Sequence, residues 1–173
     1  MLPRTMQELE QVRKSCKKLV TRRAMLSGTA AMVPIPGTDM LADVGMLMRL
    51  IPDINKRFGL SEEQLDGLDT RRKAVVYSMI TSVGSQLIGH AVTRRLVFAL
   101  LKKAAARIVT KSTTKFVPVI GTAVAGALSF SAMKYVGNKQ VDDCYRVAKR
   151  MLEEQERGQL GEPMLTIDSK IAT

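Results

Sequence analysis

A six-residue phrase recurs in this chain with four of its six positions kept, as Val33-Pro34-Ile35-Pro36-Gly37-Thr38 and, 84 residues later, as Val117-Pro118-Val119-Ile120-Gly121-Thr122. Proline has no N–H to give a helix and its ring clashes with the preceding turn, while glycine accepts backbone angles that other residues avoid. Each copy follows a basic stretch and precedes a Gly/Ala/Met-rich apolar stretch, so each is expected to end one helix and launch the next within apolar surroundings. Pro34, Pro36, Gly37, Asp39, Pro118 and Gly121 are therefore the candidate structural turn residues.

The rest of the chain reads as helices separated by turns. Thr5-Met6-Gln7-Glu8 has the spacing of a capping box and opens a helix expected to reach about Met32. Asp39 and Asp43 fall in the first turns of the next helix, where a carboxylate at the positive end of the helix dipole gains about 0.3–1 kcal/mol. That helix should continue, kinked at Pro52, to Phe58 and close with Gly59 as a left-handed cap. Ser61-Glu62-Glu63-Gln64 is a second capping box, heading a short polar helix, and Asp69 or Thr70 starts a long one.

Residues 74–93 carry no formal charge, a length that invites a membrane span. The pattern opposes it: Val76, Met79, Ile80, Val83, Leu87 and Ala91 share one side of a helical wheel, and Ser78, Ser82, Ser85, Gln86 and Thr93 the other, as in an amphipathic core helix. His90 lies near its flank and reads as a structural hydrogen-bonder. From Arg94 to Lys115 the pattern stays helical but becomes basic. Residues 116–133 form an uncharged run of eighteen, shortened by Pro118 and Gly121, with small residues in rows at Gly121, Ala125 and Ser129 and at Thr122 and Gly126. Such rows let helix backbones approach closely. A last amphipathic helix is expected from about Asn138 to Gln155, with Val141, Cys144, Tyr145, Ala148, Met151 and Leu152 inward. No stretch alternates with period two. The expectation is an all-α bundle of about five to seven helices with two Pro/Gly-broken apolar helix-turn-helix elements, as one helical domain over residues 1–157 with a flexible tail at 158–173.

Charge narrows the function. The formal net charge is +11, and residues 94–115 carry Arg94, Arg95, Lys102, Lys103, Arg107, Lys111 and Lys115 without an acid, while residues 1–23 carry seven Lys/Arg against two Glu. A basic amphipathic helix beside apolar runs suits an anionic membrane surface, where each nearby cation contributes about 1 kcal/mol; a surface helix packed on its own core is the plainer account. Nucleic acid is the competing anion, but the chain has no Trp, three Tyr and four Phe for base stacking and no binding motif. Cys16 and Cys144 are too few for a disulfide framework or a thiolate metal site, which favours a reducing compartment. The N-terminal stretch has charges where a secretory signal has its apolar core.

Chemistry is the quietest part of the sequence. There is no Gly-x-x-x-x-Gly-Lys-Ser/Thr loop, no His-Glu-x-x-His, no Cys-x-x-Cys pair and no Gly-x-Ser-x-Gly, so neither a catalytic site nor a metal or cofactor is expected. The segment Ala30-Ala31-Met32-Val33-Pro34-Ile35-Pro36-Gly37-Thr38-Asp39, followed by Arg57-Phe58-Gly59-Leu60 and later by Pro118-Val119-Ile120-Gly121, resembles a bacterial helical domain of unknown function. That domain is carried behind Era-like GTPases and is related to the EcsC-like group; the resemblance covers roughly residues 20–152. It implies a regulatory or membrane-associating module and supplies no catalytic residue. The expectation is a non-enzymatic module on the cytoplasmic face of a bacterial inner membrane, peripheral or partly inserted. The alternative is a soluble interaction module docking on a GTPase or another protein, and a third reading is a membrane-perturbing protein whose Gly/Ala-rich segments oligomerise.

Overall fold

The computed structural model describes residues 3–30, 38–111 and 121–157, side chains at 28–30, 38–41, 109–111 and 121–125 excepted. The described residues form six helices and no strand: α1 (Met6–Ala30), α2 (Thr38–Arg57), α3 (Glu62–Asp66), α4 (Thr70–Val83), α5 (Arg94–Lys111) and α6 (Gly121–Glu156). The fold is all-α, as the periodicity requires. Pro34, Pro36, Gly37 and Pro118 lie outside the described residues, as does the expected tail at 158–173. The chain divides into two compact units, unit 1 being Met1–Ser15, Pro52–Ala91 and Gln140–Thr173, and unit 2 being Cys16–Ile51 and Val92–Lys139.

The local signals of unit 1 work as written in the sequence. Thr5 Oγ1 accepts the Glu8 N–H at 3.2 Å, while the Glu8 carboxylate reaches one residue beyond a standard box to accept the Arg4 N–H at 2.7 Å. Ser61 and Gln64 form the reciprocal box that heads α3, and Asp69 caps α4 by accepting the Arg72 N–H. Pro52 lies inside α2. Beyond α2, Gly59 adopts φ 76°, with the Gly59 N–H bonded to Lys56 O and the Leu60 N–H to Asn55 O, the paired bonds of a Schellman cap.

The expected helix over 70–93 is cut short. α4 ends at Val83, and Gly84 takes φ 71° with its N–H on the Ile80 and Thr81 carbonyls. Beyond it the chain is held by side chains from elsewhere in unit 1. Asn55, 3% exposed, donates from Nδ2 to Leu87 O at 2.6 Å, and its Oδ1 accepts from Gln140 Nε2 at 2.5 Å and from the Cys144 thiol at 3.3 Å. Tyr77 donates its hydroxyl to Gly89 O. The same apolar residues that continue a helical wheel on paper are thus buried another way: Leu87 and Ile88 enter the core from a non-helical strand of chain, while Ala91 is exposed. Left-handed glycine at position 84 and the Asn55 anchor outweigh periodicity. His90 consequently lies outside any helix, exposed, its ring 6.2 Å from that of Tyr77.

The second correction is at α6, a single helix of 36 residues where an apolar segment followed by a separate helix from Asn138 was expected. Gly137 does not break it. A Cβ built there would lie 2.7 Å from Val20 Cγ1 and 3.0 Å from Cγ2, so the missing side chain is what lets α1 press against α6 in unit 2. Around this contact unit 2 buries Cys16, Val20 and Ala24 of α1, Leu47, Leu50 and Ile51 of α2, Val97, Leu101 and Ala104 of α5, and Ala132, Met133 and Val136 of α6. In unit 1, Leu9, Phe58, Leu65, Val76, Ile80, Val141, Val147 and Met151 fill the core; each fully buried large aliphatic or aromatic side chain contributes about 1.5–3 kcal/mol.

Two outcomes are expected. Gly→Ala inside a helix ordinarily stabilises by about 1 kcal/mol, but Gly137→Ala should destabilise the protein, by roughly 1–2 kcal/mol in urea unfolding, and Val20→Ala in the same chain should restore the ordinary sign. The Tyr145 phenol donates to the Glu10 carboxylate beneath the Arg13 guanidinium, which lies 4.3 Å from its ring centre; that hydrogen bond, then burial, raises the Tyr145 pKa above the ordinary 10.0. A raised pKa means a contribution complete below 10.0 and lost as pH climbs through the shifted value. Wild type should therefore exceed Tyr145→Phe by a constant margin from neutral pH to about 10.0, a margin that shrinks only above it.

Candidate functional site

α5 is capped by Thr93, whose Oγ1 accepts the Leu96 N–H at 3.3 Å while its carbonyl takes the Val97 N–H at 3.1 Å. Arg94 and Arg95 therefore occupy the first turn, at the positive end of the helix dipole, where each costs about 0.3–1 kcal/mol. Helix stability does not account for them. Val97, Leu101 and Ala104, at helical spacing, point into the core of unit 2. The rest of the helix circumference exposes Arg94, Arg95, Phe98, Lys102, Lys103 and Arg107, with Phe98 42% exposed. The helix is thus the surface helix packed on its own core. Its apolar row is occupied there, and what faces outward is five cations with Phe98 among the exposed residues.

Five of the seven expected cations are exposed around α5. Arg107 donates from Nη1 to the Tyr135 hydroxyl of α6 at 2.9 Å, which fixes its guanidinium in the C-terminal half of α5. Lys111 belongs to α5 but its side chain is outside the described residues, and Lys115 lies outside them altogether. Of the expected turn residues, Asp39 falls in the first turn of α2 without a described side chain, and Gly121 is the first residue of α6.

The division into units sorts the charge sharply. Unit 2 holds fourteen Lys/Arg and two Asp, a formal +12, whereas unit 1 holds thirteen Lys/Arg and fourteen Asp/Glu, a formal −1. Unit 1 is internally neutralised through pairs such as Arg13–Asp142 at 2.9 Å, Arg72–Asp69 at 3.2 Å and Arg146–Asp143 at 2.5 Å. The Asp142 hydrogen bond holds the Arg13 pKa above its ordinary value. A groove of about 530 Å³ between α4 and α6 in unit 1 is lined by Val75, Ser78, Met79, Ser82, Arg150, Glu153, Glu154 and Arg157. Arg150 donates to Ser82 and Arg157 pairs with Glu154 there, so its cations are already engaged.

Asp43, expected to serve the helix dipole, is instead a buried junction, 6% exposed. Ser27 of α1 donates to its Oδ1 and Ser129 of α6 donates to its Oδ2, and the two hydroxyl oxygens lie 2.8 Å apart. A trace of this was in the sequence: Asp43 stands in helical register with Leu47, Leu50 and Ile54, on the buried row of α2, and Ser129 continues the small-residue row of Gly121 and Ala125. Nothing in the sequence pointed to Ser27. The junction offers little reactivity, since a carboxylate is a feeble base toward a serine hydroxyl without an intervening imidazole. Among the described residues no group of three His, Cys, Asp or Glu could hold a metal ion, and no helix is long and apolar enough to cross a membrane.

No family model matches the chain, and no solved structure matches it. It is similar to interferon-inducible GTPase 5 of Bos taurus, 26% identical over 158 residues, and to the protein of the same name from Rattus norvegicus, 25% identical over the same length. Each match takes in 88% of this chain and 34% of the relative, so the chain spans about a third of the length of the curated relatives it matches.

Asp43→Ala removes the acceptor of two hydroxyls and is expected to cost about 1–3 kcal/mol, whereas Asp43→Asn, which keeps one acceptor and offers a donor that a serine oxygen can accept, should cost less. Urea unfolding of the two variants side by side measures the order.

Proposed function

We propose that this chain is a non-catalytic helical module of a GTPase system that attaches to an anionic membrane surface through the basic face of unit 2. The observation that carries the reading is the segregation of charge: a formal +12 on unit 2 against −1 on unit 1, with the exposed surface of α5 holding two arginines that its helix dipole disfavours. Such a field raises the local concentration of anions and draws the protein to acidic headgroups, within the screening length of the surrounding salt. The described helices favour peripheral attachment by headgroup contact over spanning. The cytoplasmic face of a bacterial inner membrane is the location this reading assigns.

The GTPase setting rests on the similarity to interferon-inducible GTPase 5. This chain carries no Gly-x-x-x-x-Gly-Lys-Ser/Thr loop, and a phosphate-cradling loop of that kind sits between a strand and a helix. The shared third of those relatives is therefore read as an accessory helical portion rather than a nucleotide site. The likeness to the helical domain carried behind Era-like GTPases, borne by Pro34-Ile35-Pro36-Gly37 and Arg57-Phe58-Gly59, belongs to the same proposal. A second reading follows from the same similarity: the basic face of unit 2 docks on a GTPase directly.

The deciding measurement is cosedimentation with vesicles of phosphatidylcholine alone and of phosphatidylcholine with phosphatidylglycerol. Binding is expected only to the anionic vesicles, falling steeply as salt rises. With each surface cation contributing about 1 kcal/mol, the Arg94→Glu, Arg95→Glu, Lys102→Glu, Lys103→Glu variant should bind at least about a hundredfold more weakly. Unchanged partition of that variant overturns the assignment to α5. A protein that ignores anionic vesicles but binds a purified GTPase moves the conclusion to the second reading.

A further inference from the structure

Within unit 2 the last turns of α1 present a second kind of surface. Cys16, Val20, Ala24 and Ser27 follow helical spacing into the core, exposed by 0%, 0%, 0% and 1%, and the Ser27 hydroxyl is tied to Asp43 on α2. That bond and the Val20–Gly137 approach fix the rotation of the helix about its axis. Residues one and two positions before Ser27 are then carried to the outer side, since successive helical residues turn by about 100°. Met25 and Leu26 are 57% and 59% exposed there. Exposed Lys18 and Arg22 lie on the same row as Leu26, one turn apart, and residues 16–30 contain no acid. Two large apolar side chains exposed next to a row of cations match the two layers of a bilayer boundary, phosphate outside and acyl chain beneath.

We infer that Met25 and Leu26 form a shallow acyl-chain anchor, inserted into an anionic bilayer while Lys18 and Arg22 engage its headgroups. The inference rests on the membrane reading above and specifies which part of unit 2 enters the lipid. Electrostatic attraction brings the protein to the surface, and burial of two side chains then adds affinity that salt does not screen. Each side chain taken from water into the acyl region contributes enough for roughly a tenfold gain in partition. A binding energy with both parts falls with salt to a plateau rather than to zero.

The chain has no Trp, so Leu26→Trp introduces a sole indole at the anchor, and Met25→Trp is the second reporter should the first alter folding by circular dichroism. On vesicles of phosphatidylcholine with phosphatidylglycerol, the emission should shift to the blue and be quenched by lipids brominated along the acyl chain. The Met25→Asp, Leu26→Asp variant should partition at least about tenfold more weakly, with its melting curve unchanged. If the reporter proteins cosediment while emission remains that of water-exposed indole, the anchor is refuted and surface attachment stands. If no form of the protein cosediments, attachment and anchor both fall.

Discussion

A single carboxylate, Asp43 of α2, is where three helices of unit 2 are tied together: Ser27 from α1 and Ser129 from α6 both donate to it. Burying an aspartate is costly unless its oxygens are satisfied, and a charged acceptor makes each hydroxyl bond stronger than a neutral one. Because both carboxylate oxygens are used, the rotations of α1, α2 and α6 about their own axes are coupled. The close approach of Val20 to Gly137 acts on the same pair of helices further along. Together they decide which residues of α1 face outward, and so place Lys18, Arg22, Met25 and Leu26 on the surface.

The two units solve the problem of charge differently. Unit 1 sets bases beside acids along and between its helices, as in Lys149–Glu153 and Arg57–Asp53, pairs worth little individually but enough to leave no net field. Unit 2 keeps two acids among fourteen bases, and Asp43 is turned inward to serine. Its cations therefore repel one another at some cost to the folded state. α5 shows the pattern most clearly: Val97, Leu101 and Ala104 are spent on the core, and its exposed surface carries five cations together with Phe98.

Much of the fold was readable because its signals are local. A capping box at Ser61–Gln64, an aspartate cap at Asp69 and a glycine closing α2 act within four or five residues, and each does in the structure what its spacing suggests. The readings that failed were those where a distant partner decided the matter. Residues 84–91 continue a helical wheel, yet Asn55, some thirty residues earlier, holds the Leu87 carbonyl in a non-helical segment. The separate helix expected from Asn138 is part of the continuous α6, whose Gly137 lies against Val20 of α1. Asp43 looked like a dipole partner because the serines that it binds are 16 and 86 residues away.

The sequence by itself determined that the protein is helical, where most helices begin, and that its cations gather on a helix without acids, because propensity, capping and composition are properties of neighbouring residues. Only the tertiary structure decided that the excess charge belongs to one unit, that the apolar face of α5 is spent on the core, and that Met25 and Leu26 are left outside. Those outcomes depend on which helix faces are consumed by packing. Chain order does not fix that choice; the mutual fit of Val20 with Gly137, and of two serines with one carboxylate, does.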